Sequence, residues 1–210
     1  MAGDNGNRDG NLADPTLMDW LRSVICRFDD WLSQVEGVEP FTDDPQVIMR
    51  IQNGRAAWNI PLPEGRIPID SKVLVLHLWN ERIPPIPPQG ADLGWARQTQ
   101  RLIVTSFRAV AQHIGANPQF QNVEAVGGVS AQIKLEGADG GRALLEHLGF
   151  TIFPYHRPAG AFGEFWENFY TWWLMWTFNP ASVRHRSLLG LQRNEFWTTK
   201  EKFLDQFMKK

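Results

Sequence analysis

The chain has 210 residues, 43% of them apolar and 21% charged, with a formal net charge of −2. This is an ordinary globular composition, able to bury roughly 70% of the unfolded chain's surface without a disulfide or metal to hold it. The charge lacks the basic excess that a nucleic-acid partner demands. The single cysteine, Cys26, has no mate, and the five histidines show no CxxC, HxxxH or HExxH spacing, so neither a metal site nor a cofactor is expected.

Residues 1–13 are polar, lack the apolar stretch of a secretory signal and read as a disordered tail before one domain over 14–210. A cytoplasmic location follows as the expectation. No apolar run reaches the roughly 18 residues of a membrane span. Asp14 and Pro15 supply an N-cap and first-turn proline for a helix over 15–36, with Leu17, Leu21, Val24, Ile25, Phe28, Leu32 and Val35 on one core-facing side. Cys26 falls on the other side. Two apolar runs, 47–51 and 56–60, flank Gln52-Asn53-Gly54-Arg55, and an Asn-Gly pair in that setting predicts a hairpin turn.

KVLVLHLWN, residues 72–80, is apolar at both alternations, as befits a central strand buried on both faces, with His77 a hydrogen-bonded histidine within it. A stiff proline loop leads to a helix over 92–115 that turns Ile103, Phe107, Val110 and Ile114 inward. Residues 122–133 predict a strand broken at Gly127-Gly128, a pair open enough to admit a phosphate. Residues 140–150 predict a helix ending at Gly149, and FTIFP a further strand. The alternation gives an α/β fold: a small mixed sheet with a buried central strand, covered by helices, with a helical, Trp-rich C-terminal region that includes 193–210.

Three sets of residues carry chemical interest. Asn80, Glu81 and Arg82 follow the central strand at its carboxyl end, where α/β sheets tend to bind ligands, with Glu81 the candidate base. Arg97, Arg101 and Arg108 form a basic stripe along their helix, and no acidic residue occurs between Asp92 and Glu124 to neutralise it. The third set is EFWENFYTWWLMWTFNP, which places Trp166, Trp172, Trp173 and Trp176 on one side of an amphipathic helix. Its aromatic face is too large for a monomer to expose, so core, partner or membrane must cover it. The polar side carries Glu164 and Glu167 and no cation, which favours core, and places any lipid contact at Arg184, Arg186 and Arg193 beyond Asn179-Pro180.

The blocks LHLWNE (76–81), SFRAVAQHIG (106–115), LLEHLGF (144–150) and LQRNEFW (191–197) together resemble the YkoP-like domain of bacteria, over residues 40–208. That family has no established activity. The resemblance implies a context of cell-envelope glycan or glycolipid metabolism, because such domains stand alone or attached to polysaccharide deacetylases. It implies no catalytic residue. The expected function is an accessory or binding protein, peripheral at the inner face of the membrane, that takes an anionic glycolipid, another phosphate-bearing ligand or a protein partner. Two alternatives stand beside it: a transferase using an activated sugar or acyl donor, with Glu81 as base, and a structural interaction module.

Overall fold

A computed structural model describes residues 15–87, 89–130, 140–156, 169, 171–174, 177 and 193–208. Residues 1–13, expected as a disordered tail, lie outside the described residues. The central strand, here β5 (Lys72–Leu78), is where the sequence placed it. It pairs antiparallel with β2 (Met49–Arg55) on one side and parallel with β6 (Ala125–Ser130) on the other. Val73, Leu74 and Leu76 are at most 4% exposed, so the strand is buried on both faces. The parallel step requires a crossover. It is made by α2 (Leu93–Ala116), whose start is capped by the Asp92 carboxylate accepting from the Trp95 N–H at 2.7 Å.

The six-stranded sheet has the order β1-β2-β5-β6-β8-β7, with β1 at Val38–Glu39, β7 at Thr151–Pro154 and β8 at Asn194–Thr199. The α/β fold with a mixed, helix-covered sheet is therefore observed. One face carries an apolar core in which Leu74, Leu76, Val126 and Phe196 meet Phe107, Val110 and Ile114 of α2, with Ile103 partly buried against them. Phe203 and Phe207 of α4 (Lys200–Met208) complete it, their rings 5.9 and 5.2 Å from that of Phe107. Leu145 of α3 (Gly140–His147) joins the same cluster. Past α3 the chain reverses at Gly149, where φ is +86°, the left-handed conformation that favours glycine at this point.

The structure departs from the sequence reading in four places. Asn53-Gly54 is not a turn: both lie inside β2, opposite Leu74 and Val73, because pairing along the whole length of β5 outweighs the local preference of the dipeptide. The small antiparallel unit lies later, between β3 (Ile60–Leu62) and β4 (Gly65–Ile67). It packs with Ala56, Val73, Ala125 and Trp197 on the second face of the sheet.

Residues 194–199 are a strand, not the start of a helix. Every residue of β8 is buried, and its polar members read as helical only because sequence cannot show that both neighbouring strands, β6 and β7, satisfy their backbone groups. Gly127-Gly128 does not break β6. A Cβ on Gly127 would strike the Phe196 carbonyl and the Trp197 ring, so the space those glycines leave is filled by β8, not by a phosphate. Lastly, α1 (Pro15–Glu36) buries Ile25 but exposes Val24, Phe28 and Val35, three residues that the sequence turned inward.

Candidate functional site

Beyond β5 the backbone makes one 3-10 turn, Asn80–Arg82, closed by the Ile83 N–H donating to the Asn80 carbonyl at 3.3 Å. Arg82 lies flat on the Trp79 ring, 3.6 Å from its centroid, and donates to the carbonyls of Asp44 and Val47 at 2.9 and 3.0 Å. Glu81 accepts from the Trp79 indole N–H at 3.1 Å. Burial, with the nearby Glu81 carboxylate second, pushes the Cys26 thiol up to about 11. Cys26 therefore stays protonated near neutral pH and is a poor nucleophile. Arg82 fastens the strand end to the preceding loop, and Glu81 closes back on Trp79.

Arg97, Arg101 and Arg108 are all exposed on the solvent side of α2. Among the described residues no hydrogen bond or ion pair links them to Glu81. The reason is topological: α2 packs on the Leu74 and Leu76 face of β5, whereas Trp79 and its partners belong with the face that carries His77. Trp95, two residues before Arg97, does donate its indole N–H to the Pro84 carbonyl just past the turn, at 2.9 Å. Arg193, half-buried just before β8, donates to the Thr171 hydroxyl at 3.3 Å and lies 5.8 Å from the Tyr155 ring centroid. It thus ties β8 to the helical residues 169, 171–174 and 177, where Trp172 and Trp173 are half-buried and Leu174 is buried. Trp166, Trp176, Arg184 and Arg186 lie outside the described residues.

Sequence reasoning missed a polar row on the second face of the sheet. Arg50 of β2 sits opposite His77 of β5, and Glu195 of β8 opposite Val129 of β6. Arg50 is 6% exposed; it donates to the Asp29 carboxylate at 2.7 Å and to the Ser33 hydroxyl at 2.9 Å, both on α1. Its guanidinium lies 5.5 Å from the Trp79 ring centroid. His77 Nε2–H donates to the Gln52 side-chain oxygen at 2.8 Å. Burial first, and the Arg50 cation second, lower the His77 pKa from 6.5 to about 4.

Glu195 is 4% exposed, yet both carboxylate oxygens are satisfied. One accepts from the Trp58 and Trp197 indole N–H groups at 2.9 and 2.8 Å, the other from the His156 backbone N–H at 2.9 Å. His156 in turn stacks on Trp58 with centroids 3.8 Å apart. For Arg50 the signal available in the sequence was a lone charge inside the apolar run VIMRI, a pattern that marks a buried charge needing partners; Glu195, which follows Arg193 and Asn194, carried no such signal. Among the described residues no group of three or more metal-ligating side chains occurs, and no helix is long and apolar enough to cross a membrane. No family model, curated protein or solved structure matches the chain.

Proposed function

We propose that the chain is an accessory, ligand-binding protein of bacterial cell-envelope glycan or glycolipid metabolism, peripheral at the inner face of the membrane, and that the basic stripe of α2 receives the anionic ligand. The observation that carries this reading is the exposure of Arg97, Arg101 and Arg108 along one side of α2. Leu93, 76% exposed, heads the same side of the helix. At ~1.5 Å per residue the three arginines span about 16 Å, enough for several phosphate groups in a row. An apolar tip beside such a row is the arrangement used by proteins that settle on an anionic lipid surface. The blocks that resemble the YkoP-like domain support the envelope context, and the structural employment of Glu81 supports binding over base catalysis.

The test is co-sedimentation with vesicles of phosphatidylglycerol or of phosphatidylcholine. Binding to the anionic vesicles alone is expected, weakening as salt rises. At about 1 kcal/mol per arginine, the triple variant Arg97→Gln, Arg101→Gln, Arg108→Gln loses roughly 100-fold in affinity. Equal binding by wild type and triple variant, or none by either, rejects the reading.

A further inference from the structure

Charge is unevenly placed along this chain. Residues 93–116 and 200–210, the segments of α2 and α4 with the two lysines that follow α4 in the sequence, carry seven cations against two carboxylates, although the whole chain stands at −2. Both helices pack on the Phe107 face of the sheet. Among the described residues Arg97, Arg101 and Arg108 have no hydrogen-bond, ion-pair or ring partner. Arg97 and Arg101 stand four residues apart, a like-charge pair that costs the helix stability, and an anion laid on the row relieves it.

The row has an apolar residue at each end. Leu93, 76% exposed, opens it. At the far end, turning by ~100° per residue, Gly115 points along the same line as Arg97 and Arg108 but has no side chain of its own. Met208 of α4 takes that place: its Sδ lies 3.1 Å and its methyl carbon 3.3 Å from where a Cβ on Gly115 would stand. Met208 is itself 51% exposed. At ~1.5 Å per residue, Leu93 and Gly115 are about 33 Å apart along α2. A soluble phosphate ligand would use the cations and leave both ends idle. A bilayer offers anionic headgroups to the middle of the row and acyl chains to its ends, and a flexible methionine adapts to so fluid a partner.

We propose that Met208, seated over Gly115, is the second apolar anchor of a surface for anionic bilayers, so that α2 lies flat along the membrane with Leu93 and Met208 both at the acyl boundary. This rests on the reading of the α2 stripe as the anion-binding side. The test places a polarity-sensitive dye on single cysteines in the Cys26→Ser chain, at Leu93→Cys, Met208→Cys and, beside the β3–β4 unit on the opposite face, Ile69→Cys, where the native residue is 51% exposed. With phosphatidylglycerol vesicles the dyes at 93 and 208 shift to the blue and the dye at 69 does not; inositol hexakisphosphate, a soluble polyanion, shifts none. Unlabelled Met208→Gln loses roughly 5–10-fold in vesicle affinity and keeps the salt dependence of wild type, which the triple arginine variant flattens. A dye at 208 that stays in water while the dye at 93 shifts, or a Met208→Gln chain that binds like wild type, overturns the proposal and leaves the stripe reading standing. A wild-type chain that ignores phosphatidylglycerol vesicles overturns both.

Discussion

On the face that α2 and α4 cover, Phe107, Phe150, Phe203 and Phe207 pack with Leu74 and Leu76, and the nearest rings stand 4.9–6.1 Å apart. On the other face, Arg50, His77 and Glu195 stand at one level across the strands, each held by named donors or acceptors. The first face gains stability from area removed from water, which is non-directional and lets neighbours adjust. The second gains little from burial itself: each polar group must find its partner or cost free energy. One face is a packing problem and the other a pairing problem. Substitutions separate the two.

Phe107→Ala should have the largest effect, about 3–5 kcal/mol in urea unfolding, because the side chain is fully buried at the centre of three ring contacts. Phe107→Leu should recover more than half of that, as an area-based account requires. If both variants cost the same, ring geometry rather than area holds this face together. Next comes His77. Its folded pKa, lowered to about 4 from 6.5, means that the unfolded chain binds a proton the native ring refuses. Stability from this group is complete above pH 6.5 and is lost as pH falls towards 4, by about 3 kcal/mol. Unfolding curves across that window should flatten by this amount in His77→Gln; an unchanged slope would remove His77 from the account.

Glu195→Gln should cost about 2 kcal/mol despite near-identical shape, because an amide nitrogen cannot accept and leaves an indole or backbone N–H orphaned. Tryptophan fluorescence should shift with it, since Trp58 and Trp197 both report on that carboxylate. A neutral result would show that the three donors find water instead, and the contrast between the faces would shrink.

The packing face could be read from the sequence in advance and the pairing face could not. Phe107, Val110 and Ile114 repeat at helical spacing, and residues 72–78 are apolar at both alternations, so periodicity alone oriented α2 and centred β5. Periodicity is silent about partners. Nothing local connects Glu195 to Trp58, 137 positions away, or Arg50 to Asp29 on another element. Asn53-Gly54 misled because turn chemistry is a local preference that seven paired residues override. In α1 the apolar residues exceed one face, and spacing alone did not say which half meets the sheet. The arginine stripe was visible because exposure and like charge both show in sequence; whether it bonds to Glu81 was not, because that depends on which side of β5 the crossover helix lies.

The strand order also bears on how the protein is made. β8, formed by residues 194–199, separates β6 from β7 and is the only neighbour β7 has in the described sheet. While the chain emerges from the ribosome, β6 and β7 are both available well before the segment that joins them, so β6 presents an open edge and β7 has nothing to pair with. The sheet closes late, by insertion between waiting strands. A nascent chain halted before residue 194 should accordingly be the species that chaperones hold, and release should coincide with the arrival of β8.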